Sequence, residues 1–594
     1  MSSKKSCPAQ RQRIPEPVDG IQVNFCKKPG CKNFGVPASL NIQPKGRPNG
    51  SRVRDGYAIS GTGRKDSALK CGECGEYHPI KSNQGIAEEL ERMLAPFRGA
   101  PLSTCPNSTC PNHSHPLGSA KGLYKSKGYT KANSRRYQCQ ECGKTFSVSR
   151  STLRHRKPHL NKQIFKLIVN KVPLRRICEI AEVNPETVYG KLKFFREQCL
   201  KFAAERERKL LGNASYPRMY ISVDRQEYAV NWTSHMDRRN VVIQAVGSAD
   251  LEHGYVFGMH SNFDPDLDAE QVNKSAKEAG DLQVHKYFRK YARLWLWPDY
   301  AEATSARKSH PKGFDGSILD RVQNAYEQAM LRDDIEAFEQ LSNEISLPKQ
   351  GMQVHSEYTL YAHFFYLKSL LRGVEKVRFF LDQDSGMRAA CLGAFADRVK
   401  GHSCEAFYVR TNREMTIDEK KMALARAKAR FDQILATHPS MSEHEIKHQM
   451  VKDQLASMKT IGRWKDRWME HPLPKMSEPE KAVCHLTDMG HLSDDHLTNL
   501  FLKATLHPID RFFMQARRKV MYLERPFGTA SRAGRIWHGY SPYKPEMINV
   551  VLDIFRIYYN YCTAGSDGKT PAQRLGLARG RVDVEKIIYF NMEQ

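Results

Sequence analysis

Two apolar runs in this sequence end in carboxylates: Tyr220-Ile-Ser-Val-Asp224 and Val377-Arg-Phe-Phe-Leu-Asp382. A third acid, Asp510, opens the stretch His507-Pro-Ile-Asp-Arg-Phe-Phe-Met-Gln-Ala-Arg517, and Glu524 follows it. Carboxylate oxygens suit hard divalent cations such as Mg2+ or Mn2+, and two such ions side by side promote in-line displacement at a phosphodiester. Asp224, Asp382 and a third acid are therefore candidate catalytic, metal-holding residues. No Glu lies between Ser493 and Leu523, so the third acid is Asp510 or Glu524. Asp510 and Arg517 stand two helical turns apart and share a face, which would set a metal-binding acid beside a phosphate-facing cation. Glu524 lies two turns beyond, on the same side. Asp384 is placed to cap the helix that follows it.

The cysteines carry a second chemistry. Cys26-Lys-Lys-Pro-Gly-Cys31 is followed by Cys71-Gly-Glu-Cys74, and the pattern repeats as Cys105-Pro-Asn-Ser-Thr-Cys110 with Cys139-Gln-Glu-Cys142. Four thiolates from two tight turns close a tetrahedral Zn2+ site, so the chain is expected to hold two structural zinc ions in two ribbons. Gly75 and Gly143 supply the turn after each second knuckle. His113 and His115 are alternative ligands, although four cysteines already suffice. Eight of the 15 cysteines fall in these clusters, which fits metal-bound thiolates in a reducing compartment better than disulfides.

The elements that must position these groups are legible in outline. Met219–Val223, Val241–Val246 and Tyr255–Met259 read as an antiparallel meander with Asp224 at the end of its first strand. Val377–Leu381 is a fourth strand, Ser385–Val399 a helix and Glu405–Arg410 a fifth strand. This β-β-β-α-β-α-β order puts the ends of the first and fourth strands side by side. Before the sheet, Leu174–Glu182 and Val183–Phe195 form helix, short turn, helix, with Ile177, Ile180 and Ala181 at core spacing and Asn184 and Pro185 opening the second helix. After it, Thr416-Ile-Asp-Glu419, Ser442-Glu-His-Glu445 and Ser477-Glu-Pro-Glu480 read as three capping boxes of a helical insertion. Trp464 and Trp468 fall four apart within it, either packed between helices or stacked on a displaced base.

The expected organisation is a first zinc-ribbon domain over 1–100, a second ribbon over 101–158, and a helix-turn-helix with its linker over 159–212. A core runs over 213–415 with a helical insert near 266–356. A helical insertion covers 416–500, and 501–594 holds the end of the core and a basic tail. The fold class is multidomain α+β.

The net charge of +28 points to a polyanionic partner, most simply DNA. Candidate DNA contacts are Arg135, Arg136, Lys144 and Arg154 around the second ribbon, Thr187, Tyr189, Lys191 and Lys193 on the second helix of the pair, and Arg517 beside the acids. No run of eighteen apolar residues and no apolar leader are present, so a cytoplasmic, nucleoid-associated protein is expected.

Tyr137–Phe146 with the helices after it, Ile221–Asp224, Phe379–Asp384, Ile509–Pro526 and Tyr543-Lys-Pro with Asp567-Gly-Lys-Thr-Pro resemble bacterial insertion-sequence transposases of the DDE class. The resemblance covers most of the chain from about Cys105 onward. It implies an RNase H-like core whose acids, here Asp224, Asp382 and Asp510 or Glu524, hold two Mg2+. It implies binding of terminal inverted repeats and target DNA by a dimer or higher oligomer, with strand cleavage and strand transfer. The duplicated ribbon, the long insert between the first two acids, and Asp in place of the usual Glu depart from that pattern. A transposase-derived transcription regulator and a metal-dependent nuclease without strand transfer are the competing expectations.

Overall fold

A computed structural model describes residues 12–41, 55–61, 67–98, 103–117, 122–130, 135–148, 157–212, 216–233, 236–305, 317–330, 345–412, 414–525 and 540–590. The chain opens with a three-stranded antiparallel ribbon, β1 (Tyr57–Gly61), β2 (Ser67–Cys71) and β3 (Tyr77–Pro79), followed by α1 (Asn83–Leu94). Ser82 caps α1 by accepting the Gly85 N–H. A second ribbon of the same plan follows, β4 (Tyr124–Tyr129), β5 (Arg135–Cys139) and β6 (Thr145–Ser147).

Three helices come next: α2 (Asn161–Ile168), α3 (Leu174–Ala181) and the 28-residue α4 (Pro185–Gly212). The turn between α3 and α4 begins at Glu182, whose φ of 50° breaks α3, and ends at Asn184, whose side chain accepts the Thr187 N–H at 2.9 Å. Ile177 and Ala181 are buried as their spacing requires. Ile180 is 51% exposed, so it leaves the expected core stripe.

An eight-stranded sheet forms the centre. Its strands are β7 (Tyr216–Val230), β8 (Val241–Asp250), β9 (Val256–Ser261), β12 (Val374–Asp382), β13 (Cys404–Thr411), β14 (Lys459–Ile461), β15 (Asp466–Glu470) and β16 (Lys481–His485), in the order β14-β15-β16-β13-β12-β7-β8-β9. β12 runs parallel to both β7 and β13, and every other pair is antiparallel. β7 runs six residues past Asp224, because Asp224, Gln226, Tyr228 and Val230 keep an inward alternation that pairs with β8 down to Val230–Val241.

Between β9 and β12 lie a short pair, β10 (Phe263–Asp264) with β11 (Met352–Gln353), the helices α5 (Ala269–Glu278), α6 (Trp297–Ser305) and α7 (Ile318–Met330), and then α8 (Ser356–Leu370). The helix after β12 is broken at Phe395 into α9 (Ser385–Ala394) and α10 (Ala396–Lys400). Asp384 caps α9 through the Gly386 N–H at 2.7 Å.

The stretch over 416–500 differs from a helical insertion. α11 (Ile417–Thr437) and α12 (Glu443–Leu455) carry the Thr416 and Ser442 capping boxes. The chain then turns at Gly462 (φ 77°) and Lys465 (φ 56°) into the hairpin β14–β15 and on to β16, which widen the sheet. Trp464 and Trp468 therefore sit on a hairpin. The Ser477 box does not form either: Glu478 is buried against Lys481 (3.1 Å) and accepts the Leu506 N–H (3.0 Å), ahead of a strand. α13 (Asp494–Lys503), α14 (His507–Lys519), α15 (Glu546–Cys562), α16 (Pro571–Arg574) and α17 (Val584–Ile588) complete the chain. No described helix is long and apolar enough to cross a membrane.

Candidate functional site

The parallel pairing of β7 and β12 fixes two of the acids. Leu381 lies opposite Val223, and one residue further along come Asp382 and Asp224. In-register parallel strands send equivalent side chains to the same face, about 5 Å apart across the sheet. Asp224 is 3% exposed and accepts its neighbour's Arg225 N–H at 2.6 Å; Asp382 is half-buried. Arg225 leaves β7 on the opposite face and pairs with Asp384, which ties the start of α9 to the strand behind the acids.

α14 covers the face that carries Asp224. Gly247 is the register partner of Asp224, and a Cβ there would meet Ile509 Cδ1 at 2.8 Å and Phe513 Cε1 at 3.0 Å. Glycine is therefore what lets the helix approach this closely. Asp510 stands in the same turn of α14, half-buried. Two turns on, the Arg517 guanidinium lies 2.9–3.2 Å from the amide end of Gln226, and Gln226 shares the face of Asp224. Glu524 is placed elsewhere. It follows α14 and a short 3-10 turn, and its carboxylate pairs with Lys171, in the loop after α2, at 2.9 Å.

Each cysteine cluster is positioned to bind a metal ion: Cys26, Cys31, Cys71 and Cys74 in one, Cys105, Cys110, Cys139 and Cys142 in the other. Cys26 and Cys74 sulfurs are 3.5 Å apart and Cys31 and Cys71 3.8 Å; in the second group the matching distances are 3.3 and 3.8 Å. Four soft, convergent sulfurs are the donor set that zinc takes. His113 is not part of the second group; its Nδ1 lies 2.6 Å from the Cys105 carbonyl.

The two ribbons share supporting residues that spacing of cysteines alone did not reveal. Asn33 and Asn112, each two residues after the second cysteine, donate to the third cysteine's sulfur at 3.4 and 3.3 Å. Tyr57 and Tyr124 accept the first cysteine's N–H at 2.9 and 3.1 Å, and donate to the Asn33 and Asn112 carbonyls. The repeated C-x4-C-x-N was the available signal. Such donors favour thiolate. Burial pushes the Cys105 thiol up to about 12. Burial also raises Cys139, but the Cys142 N–H and the Asn112 amide bring it down to about 6.

The surroundings of the two ribbons differ. The first is built into the body: α1 lies along α8, Ser82 donates to Tyr358 at 3.3 Å, Lys81 pairs with Glu357 at 3.5 Å, and Gly35 abuts Ala396. Among the described residues the second has its own small core of Cys105, Cys110 and Cys139, with Tyr124 and Cys142 packed against it. Replacing Cys110 by Ser is therefore expected to cost one metal and unfold the second ribbon while the body melts within about 0.5 kcal/mol of the wild type. Cys26→Ser is expected to lower the melting of the body itself. Metal content together with calorimetry checks both, and equal effects on the body would sink the distinction.

The cations divide likewise. Arg135, Arg136 and Lys144 are exposed on the second ribbon, Arg136 touching Thr145 at 3.1 Å. Arg154 lies outside the described residues. Thr187 and Tyr189 are half-buried near the start of α4, and Lys193 is exposed and paired with Glu546 at 3.0 Å. Lys191, expected on the DNA-facing surface, is instead internal. It is 4% exposed, and its ammonium reaches the Lys157 carbonyl at 3.1 Å and the Asn161 side chain. Burial lowers its pKa, so it is an internal cation that ties α4 to α2.

Trp468 is wholly buried and cannot stack on a base. Trp464 lines a small pocket with Lys27, Lys28, Tyr77 and Arg388, between the first ribbon, α9 and the hairpin.

No protein-family model matches this chain, and no curated protein matches it.

Proposed function

We propose that the protein is a metal-dependent DNA transposase with an RNase H-like core, and that Asp224, Asp382 and Asp510 are its catalytic acids. The observation that carries this reading is the juxtaposition of Asp224 and Asp382 at the end of a parallel strand pairing, beneath the turn of α14 that contains Asp510 and packs on the register partner of Asp224 through Ile509 and Phe513. The strand order β9-β8-β7-β12-β13, with β12 parallel to β7, supports the core assignment. Asp510 is preferred over Glu524 because it lies in the turn of α14 that packs against the register partner of Asp224, whereas Glu524 lies beyond that helix and pairs with Lys171.

Oxygen donors of this kind fit Mg2+ or Mn2+, which supply charge stabilisation for both the attacking and the leaving oxygen of an in-line displacement. The chain's own part is positioning. Asp224 is fixed by its strand, Asp382 by the adjacent strand end, and Asp510 by α14 seated over Gly247. Arg517 sets a cation beside them, where a phosphate oxygen would gain charge. In the first step water displaces the 3′ oxygen at an element end and frees a 3′-hydroxyl. In the second that hydroxyl attacks a target phosphodiester, so one P–O bond forms as another breaks.

The exposed cations of the second ribbon, with α3 and the start of α4 in a helix-turn-helix, would hold the duplex ends. Two ends must meet, so a dimer or larger assembly on DNA is expected. Zinc in the two cysteine sites is structural on this reading. The test is to incubate the protein with Mg2+, a labelled element end and a target plasmid. Joined product supports transposition. Nicking without joining would make it a nuclease, and binding without either would make it a regulator.

A further inference from the structure

We infer that the sheet of the second ribbon takes single-stranded DNA, one unpaired base lying between the rings of Tyr129 and Tyr137 with the Arg135 guanidinium alongside. Register brings these three groups together. Tyr129 of β4 is the partner of Arg135 of β5, and Tyr137 follows Arg135 by two residues on the same strand. Alternation sends all three to one face, where Tyr137 is paired with Phe146 of β6. A bulge between Ser126 and Tyr129, with Gly128 at a φ of 77°, turns Tyr129 rather than Lys127 towards Arg135.

The face has an inner and an outer half. Towards the cysteines, Tyr124 and Phe146 meet edge to face at 5.6 Å, and the Tyr124 hydroxyl donates to the Asn112 carbonyl at 2.6 Å. Those rings pack the ribbon itself. Phe146 also stacks beside Tyr137 at 6.2 Å, which backs the Tyr137 ring with protein. The outer half is open. Tyr137 is half-buried, Arg135 is exposed and holds its guanidinium 5.9 Å from the Tyr137 ring centre. Tyr129 is 64% exposed, the one large apolar side chain so open among the described residues of this ribbon.

Charge and ring geometry select the occupant. Between Pro101 and Lys157 the sequence holds eleven Lys and Arg and a single acid, Glu141. A segment of one sign matches a polyanion. The rings narrow this to unpaired nucleotides, because a base within a duplex has both its faces covered by its neighbours, whereas an unpaired base stacks on an open ring whatever its identity. Diagonal side chains across an antiparallel pair stand about 7–8 Å apart. That is roughly twice the 3.4 Å that one base occupies in a stack, so a base fits between the two tyrosines. Lys125 and Arg136 alternate to the opposite face, which carries no ring and suits duplex phosphates. The inference rests on reading this ribbon as the grip on an element end, and adds the unpaired bases at such an end to what it holds.

The test uses the full-length, zinc-loaded protein with a labelled thymidine oligonucleotide of about twenty residues and a duplex of equal length. Tyr129→Ala is expected to weaken single-strand binding about tenfold or more and duplex binding less than twofold. Tyr129→Phe keeps the ring and should bind the single strand within about twofold of the wild type. Tyr137→Leu, which keeps an apolar side chain beside Phe146, should weaken single-strand binding with zinc content unchanged. Wild-type single-strand affinity in Tyr129→Ala overturns the inference. Equal losses on single strand and duplex make Tyr129 a support of the ribbon and also overturn it, as does a Tyr129→Phe variant as weak as Tyr129→Ala. A matching ribonucleotide oligomer bound more than tenfold tighter than the DNA would make the occupant RNA and overturn it as well. A wild type that binds and cuts duplex but ignores the oligonucleotide overturns the stack and leaves the catalytic reading standing. Single-strand binding through Tyr129 in a protein that cuts no DNA supports the stack and removes the catalytic reading.

Discussion

Asp224→Asn is expected to remove DNA cleavage and joining by about three orders of magnitude or more while leaving duplex binding intact. The side chain keeps its shape and can still accept the Arg225 N–H, so the strand is not disturbed; only the charge that holds a cation is lost. Asp382→Asn should do the same, since the two carboxylates face one side of paired strands. Asp510→Asn should fall with them, and Glu524→Gln should leave the rate within a few-fold, because Glu524 serves an ion pair with Lys171. Single-turnover cleavage of a labelled end, with binding followed in parallel, separates the four variants. Full activity in Asp224→Asn would discard the site, and a dead Glu524→Gln beside an active Asp510→Asn would reverse the choice of third acid.

The second large effect concerns stability. Glu207 of α4 is fully buried, and its Oε1 accepts from Arg556 of α15 at 2.8 Å and from Tyr255 at 2.6 Å. Arg556 also donates to the Phe257 carbonyl at 2.9 Å. Burial would lower the pKa of this guanidinium, but the Glu207 charge holds it above its ordinary value. Glu207→Ala strands that cation in the interior and is expected to cost about 3–5 kcal/mol. Glu207→Leu combined with Arg556→Met should recover much of the loss, since it removes both charges together. Denaturant midpoints of the body measure this, and a shift under about 0.5 kcal/mol for Glu207→Ala would show that the pair is not carrying stability.

Much of this arrangement could be read from the sequence, and the failures have physical causes. The pairing of Asp224 with Asp382 on neighbouring strands was visible because apolar runs stop in acids, and both knuckles of each ribbon were visible from paired cysteines. That β7 continues past Asp224 was hidden because its outer residues, such as Arg225 and Glu227, mask a strict alternation. Trp464 and Trp468 suggested a helix by spacing, but positive φ at Gly462 and Lys465 made the segment a hairpin. Lys191 could have been placed correctly: Val188, Leu192 and Phe195 are buried around it at helical spacing, so its position belonged to the core stripe. The different fates of the two ribbons could not be read, because identical cysteine spacing says nothing about what packs outside the knuckles.

The 28 residues of α4 join the short helices at its start to the sheet at its end without a break, held by Arg196 to Asp553 at 2.7 Å and by Glu207 to Arg556. Its span is about 42 Å. On the proposed reading such a strut acts as a measuring rod: the sequence gripped at one end fixes which bond is presented at the other. Adding or removing residues would both change that offset and turn the gripping surface by about 100° per residue around the rod.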